Sequence, residues 1–283
     1  AGIDASSNGD TVLVQPGTYQ IDEPIELKAG VSLVALDRTM DATIIDGSSF
    51  IIGIMGPLYN VRLYDDTLID GFSFKKGSRE YTIYVAGSSN IIIKNNFINT
   101  SSYACIKFYN NTGNTTLITN NTIVNSDGVS LTAFRSPGNL TFINNIIAYS
   151  DQGGIYNSNF GDQCNIDYNC FYNPSADFGD ILLENNGIGT NNVFQDPLFT
   201  DPDNGDYTLQ AGSPCIDAGD PNSDLDPDGT VADIGAYYFE QTPIYVSPIG
   251  SDSNDGSENS PMATIQAGLD ASSYAVKVLE GEY

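Results

Sequence analysis

The stretch Ile91-Ile-Ile-Lys-Asn95-Asn96-Phe97 decides the fold, because its ending recurs along the chain. Upstream stand Thr-Ile-Ile-Asp46-Gly47 and Thr-Leu-Ile-Asp70-Gly71. Downstream stand Leu-Ile-Thr-Asn120-Asn121, Phe-Ile-Asn144-Asn145 and Ile-Asp-Tyr168-Asn169. From Gly47 to Asn169 the second landmark residue advances by 24, 25, 25, 24 and 24 positions. Gly and Asn are the residues that best tolerate positive φ, so a tight bend is expected at that second position. Repeated on one edge, the bends stack into a ladder whose amides hydrogen-bond along the column.

Short alternating apolar runs flank the landmarks: Ile91 and Ile93 before Phe97, Leu117 before Ile123, Leu140 and Phe142 before Ile146. They are too short and too β-branched for helices and read as strands. Two or three strands in about 24 residues, repeated, is the period of a solenoid. The expected fold is all-β, a parallel β-helix with coils of about 24 residues. A β-sandwich with turns every 8–12 residues does not account for the ladder.

This ladder resembles that of the pectate-lyase-like right-handed β-helix superfamily over residues 30–200. Two further stretches resemble a surface-protein subgroup of it: Tyr245-Val-Ser-Pro248-Ile-Gly250-Ser-Asp252-Ser-Asn254-Asp255-Gly256, and Gly212-Ser-Pro-Cys215-Ile-Asp217-Ala-Gly219-Asp220. The resemblance implies that the first opens such a domain, that the second closes it, and that the protein is extracellular or on the cell surface.

Here the closing motif precedes the opening one. In addition, Ala1-Gly-Ile-Asp-Ala-Ser-Ser7 recurs as Ala267-Gly-Leu-Asp-Ala-Ser-Ser273, and Gly17-Thr-Tyr19 as Gly281-Glu-Tyr283. The expected organisation is a tandem period near 265 residues. Residues 1–243 form a β-helix unit that starts inside its first coil. Residues 244–283 form the cap, helix and first strand of the next unit, with the amphipathic helix over Pro261 to Ser273 capping a coil. The expected partners are neighbouring copies, end to end.

The net charge is -26, from 36 acidic and 10 basic residues with no His. Such a surface repels nucleic acid and anionic membranes, and no apolar run is long enough to span a bilayer. It suits a hydrated exterior or cation binding. Asp224-Leu-Asp226-Pro-Asp228-Gly229 sets three carboxylates at alternate positions before a Gly, a loop suited to Ca²⁺ with Asp233, Asp220 or backbone carbonyls as further ligands. Asp252, Asn254 and Asp255 form a weaker candidate. No organic cofactor is expected.

The resemblance also implies where chemistry would sit in an enzyme: Ca²⁺ and carboxylates beside a Lys or Arg base for a polysaccharide lyase, and paired carboxylates with a His for a hydrolase. The absence of His removes the hydrolase in its usual form. Arg62, Lys75, Lys76, Arg79, Lys94, Lys107 and Arg135 are the basic candidates for a lyase, with Asp65, Asp66 and Asp70 nearby. None forms a catalytic set by spacing, so a structural or adhesive role is expected ahead of a lyase. Tyr103, Tyr109 and Tyr149 are candidates for stacking on sugars, and glycans are the alternative partner. Asn99, Asn110, Asn114, Asn120 and Asn139 head glycosylation sequons. Of the four cysteines, Cys170 and Cys215 are the favoured disulfide pair, with Cys164 competing and Cys105 expected as a buried thiol.

Overall fold

The computed structural model describes residues 2–49, 59–75, 80–100, 103–109, 115–134, 139–157, 164–174, 181–183, 188–272 and 274–282. Contacts divide the chain into two units, Ala1–Asp226 with Thr230–Phe239, and Pro227–Gly229 with Glu240–Tyr283.

The larger unit is a parallel β-helix built from three seven-stranded sheets. Sheet A stacks Thr11–Val14, Ser32–Ala35, Leu68–Asp70, Ile91–Lys94, Thr116–Thr119, Leu140–Ile143 and Cys164–Asp167. Sheet B stacks Gly17–Gln20, Thr43–Asp46, Ser73–Lys75, Phe97–Asn99, Thr122–Val124, Ile146–Ala148 and Cys170–Tyr172. Sheet C stacks Ile25–Glu26, Tyr59–Leu63, Tyr81–Ala86, Ala104–Tyr109, Val129–Phe134, Gly153–Asn157 and Ile181–Leu183. Each coil contributes one strand to each sheet, which is why no strand of these three sheets pairs with its sequence neighbour, whereas Phe199–Asp201 pairs antiparallel with the next strand, Asp206–Leu209.

The period-2 alternation sends one set of side chains into the lumen. In sheet A the inward column is Leu33, Ile69, Ile93, Ile118, Phe142 and Ile166, and all are buried. Sheet B adds Ile45, Phe74, Ile98, Ile123, Ile147 and Phe171, and sheet C adds Val61, Ile83, Ile106, Leu131 and Ile155. Each fully buried side chain of this size contributes about 1.5–3 kcal/mol, so the stacked lumen is the main stabiliser.

The ladder exists, with its register shifted from the expectation. The positive-φ column is Gly71, Asn95, Asn120, Asn144 and Tyr168, with φ from 51° to 85°. The residue after each bend is Phe72, Asn96, Asn121, Asn145 or Asn169, and there the Asn amides are buried. The bend therefore sits one residue earlier than expected in the Asn-Asn coils. Asp46 lies in sheet B and pairs with Lys75, so Asp46-Gly47 marks a different corner. An Asp-Gly pair suits any tight bend, and residue type alone did not separate the two corners.

Sheet B buries part of its outward face as well, where Ser73 and Thr122 share a column with Phe97. Its outward Phe97, Val124, Ile146 and Cys170 form a second buried cluster with Phe199, Tyr207, Leu209, Cys215 and Ile234. The closing segment thus runs back along the outside of the coils. Gly235 N donates to Asn144 O at 2.8 Å, Ala236 N to Thr122 Oγ1 at 2.9 Å, and Asp220 N to Asn144 Oδ1 at 2.8 Å.

In the smaller unit, Ile244–Val246 pairs in parallel with Val276–Val278, and the helix Ile265–Ala271 connects them. This helix is shorter than expected because Thr264 caps it, its hydroxyl accepting from Ala267 N at 3.1 Å. Its Ile265 and Leu269 are exposed, and Gly268 is its buried residue. No described helix is long and apolar enough to cross a membrane.

Candidate ligand-binding face

The outward side of sheet C gathers two of the chain's ten cations among tyrosines. The pairing register places Glu26, Arg62, Tyr84, Lys107, Thr132 and Tyr156 in one column, one residue per coil. Strand spacing of about 4.8 Å makes this a continuous strip along the solenoid axis. Tyr59 and Tyr81 form a neighbouring column and stack on Tyr84, with ring centroids at 5.2 and 5.7 Å and interplanar angles of 16° and 14°.

Glu26 holds one end of the strip. Its two carboxylate oxygens accept from Tyr59 Oη at 2.7 Å and Tyr64 Oη at 2.6 Å. The Arg62 guanidinium lies 4.8 Å from the Tyr64 ring centroid and 5.8 Å from that of Tyr84. Its Nε is buried without a hydrogen-bond partner among the described residues. Lys107 Nζ sits 5.9 Å from the Tyr81 centroid and forms no ion pair among the described residues. Burial lowers the Lys107 pKa from the usual lysine range, and burial pushes those of Tyr64 and Tyr81 up to about 12. The phenols are therefore neutral donors at neutral pH, beside a desolvated ammonium. Flat apolar rings, hydroxyls and the Lys107 ammonium on one face, with Arg62 held beside Glu26 and Tyr59, suit a ligand with apolar ring faces and carboxylates.

Of the tyrosines named from sequence, Tyr103 and Tyr109 are exposed near this face. Tyr149 instead packs in the second cluster against Tyr172 and Phe199, and burial pushes its pKa up to about 12. Arg62 and Lys107 were candidates only as lyase bases. Their column with Tyr84 follows from strand register, which spacing did not reveal.

Among the other basic candidates, Lys94 and Arg38 both face the buried Asp70 carboxylate, at 3.6 and 2.6 Å, and Lys75 pairs with Asp41. Lys76, Arg79, Arg135, Asn110 and Asn114 lie outside the described residues. Asp65 and Asp66 accept from the next coil, at Ser89 N and Asn90 Nδ2. Asn120 is half-buried and donates to Asp233 O at 3.4 Å, and Asn99 accepts from Asn125 at 3.1 Å.

The expected Ca²⁺ loop uses its carboxylates on its own backbone. Asp226 accepts from Asp233 N, and Asp233 accepts from Asp217 N and Phe239 N. Asp228 accepts from Gln241 N. Asp252 accepts from Ala263 N, Thr264 N and Thr264 Oγ1, Asp255 accepts from Ser257 N, and Asn254 donates to Pro261 O. Among the described residues no group of three His, Cys, Asp or Glu side chains is arranged to hold a metal ion. The expected Cys170–Cys215 bridge is not formed: Cys215 is a free thiol, and the Cys170 thiol donates to Gln195 O at 3.4 Å. Both fill the second cluster as small apolar groups. Cys105 is the buried thiol expected, its pKa pushed up to about 11 by burial.

Comparison with known proteins yields a family-model match to the right handed beta helix region over residues 51–215. A solved structure described as the crystal structure of pectate lyase Pel9A is similar to 84% of this chain and 90% of its own, with 11% identity and a TM-score of 0.30. No curated protein matches the chain. The matched residues span more than half of the chain and contain the Asn ladder, and the protein belongs to the right-handed β-helix family.

Proposed function

We propose that this protein is an extracellular structural and adhesive β-helix repeat, arrayed end to end, whose sheet C face binds acidic glycans without cleaving them. The observation that carries the reading is the Arg62–Tyr84–Lys107 column: in a chain of net charge -26, two cations stand among stacked tyrosines on one open sheet face. The rings offer stacking surface to sugar faces, and Arg62 and Lys107 offer charge to carboxylates. The array is supported by the recurrence of residues 1–19 within 267–283.

The test is retention of the full chain on immobilised polygalacturonate or alginate against a neutral glucan. The reading expects retention on the acidic polymers that weakens with salt and is lost in Lys107→Ala and Tyr84→Ala. Equal retention on the neutral polymer overturns the acidic-glycan face, and release of an unsaturated product overturns the non-catalytic role in favour of a lyase.

A further inference from the structure

Of the five glycosylation sequons, those of Asn110 and Asn114 lie outside the described residues, and the structure separates the other three. An acceptor sequon needs an amide nitrogen and, two residues on, a Ser or Thr hydroxyl. Both must be within reach of an enzyme, with room for a bulky sugar. Asn99, Asn120 and Asn139 meet these demands differently.

Asn120 sits in the bend ladder with φ of 51°, and its amide donates to Asp233 O at 3.4 Å. The hydroxyl of its sequon belongs to Thr122, which is buried and accepts from Ala236 N at 2.9 Å. Asn99 ends a strand of sheet B, and its side-chain oxygen accepts from Asn125 Nδ2. The same Nδ2 donates to Tyr207 Oη at 2.7 Å. Both asparagines therefore lie at joints between the coils and residues 199–239, where a sugar would displace packing that the fold uses.

Asn139 stands at the corner where sheet C passes to sheet A, immediately before Leu140–Ile143. The register of that sheet, carried back one residue, aligns it with Thr115, Asn90 and Asp66, and all four are exposed. Its backbone oxygen accepts from Thr116 N at 2.9 Å, which fixes the main chain. Its amide has no hydrogen-bond partner among the described residues. Leu140 is buried in the lumen, whereas Thr141 points outward beside Leu117 and is half-buried. On a strand, residues two apart share a side. The amide of Asn139 and the hydroxyl of Thr141 therefore face outward together.

We infer that Asn139 is a site of N-linked glycosylation and that Asn99 and Asn120 stay unmodified in the folded chain. The donor class is a sugar carried on a lipid phosphate. Asn139 Nδ2 attacks the anomeric carbon of the sugar, and the bond from that carbon to the phosphate oxygen breaks. The amide nitrogen gives up one proton, and the lipid phosphate leaves with the bonding pair. The oligosaccharide then stands off the corner between sheets C and A, outside the lumen. The inference rests on the extracellular reading above, because sequons are used on chains that are secreted.

The native polypeptide is recovered from its source, with its location recorded, and digested with chymotrypsin, since no Lys or Arg stands between Arg135 and Lys277. Mass spectrometry of the peptides is expected to find a sugar on Asn139 in most molecules and none on Asn99 or Asn120. In the same host, Asn139→Gln and Thr141→Val should lose the sugar and Thr141→Ser should keep it. All three should melt at an unchanged temperature once the sugar is removed from the wild type, because both side chains face outward. A sugar on Asn99 or Asn120 of the folded chain, or one on Asn139 that survives Thr141→Val, overturns the assignment. A bare Asn139 in chains found outside the cell overturns the site and leaves the extracellular reading standing. A bare Asn139 in chains held in the cytoplasm overturns both.

Discussion

The side-chain oxygen of Asn121 accepts two hydrogen bonds from Asn96, from its backbone N at 3.0 Å and from its Nδ2 at 3.1 Å. Asn121 returns the pattern to its own coil and the one before, donating Nδ2 to Ile93 O at 2.9 Å and Thr119 O at 3.0 Å. One buried amide thus satisfies a bend that would otherwise leave backbone groups dry. Substituting Asn121→Ala orphans the Asn96 backbone N–H and takes a donor from Ile93 O, while Thr119 O keeps Asn95 N at 3.3 Å. The expected loss is about 1–3 kcal/mol, the cost of an orphaned buried group. Chemical denaturation of the variant checks this, and a cost below about 1 kcal/mol speaks against the ladder as a structural support.

The closing segment depends on Gly235, whose φ is 118°. A Cβ there would stand 2.8 Å from Ile146 Cδ1 and 3.0 Å from Thr122 Oγ1. Gly235→Ala should loosen residues 212–239 from sheet B and expose Phe97, Val124 and Ile146. Hydrogen exchange then speeds up across that segment while the inward strands of sheet A stay protected. Uniform exchange loss in all sheets would show instead that the two cores unfold together.

Asp233 links the same segment to pH. Burial pushes its carboxyl up to about 7, opposed by the N–H groups of Phe239 and Asp217 and assisted by the charges of Asp226 and Asp217. Between pH ~4 and ~7 the folded chain therefore holds a proton that the unfolded chain has released. Stability from this group is present at low pH and falls as pH rises through the window. Asp37, Asp252 and Asp255, whose hydrogen bonds to backbone N–H groups hold their carboxyls low, act in the opposite sense. The difference between wild type and Asp233→Asn isolates the effect: wild type should gain relative stability as pH drops from about 7 to about 4. Parallel melting curves at every pH would refute it.

The coils were legible because the Asn pairs and the alternating Ile positions repeat with almost constant spacing. The bend register was not, since Asp-Gly and Asn-Asn serve different corners equally well. Phe97 and Ile146 read as ordinary strand residues, and nothing in their spacing announced that residues 199–239 cover them. The Arg62–Tyr84–Lys107 column escaped notice because its steps are 22 and 23 residues, out of phase with the ladder. Variable loops between sheets hide such columns until pairing is known. The duplicated segment was visible in sequence, and in both copies it folds as a helix followed by a strand.

The most direct test of the central claim is a side-chain-resolved NMR titration of the full chain with an acidic oligosaccharide of galacturonate. The account predicts shifts concentrated on Tyr59, Arg62, Tyr81, Tyr84 and Lys107, with the oligosaccharide intact afterwards. Shifts centred on another face, or none at saturating oligosaccharide, would contradict it.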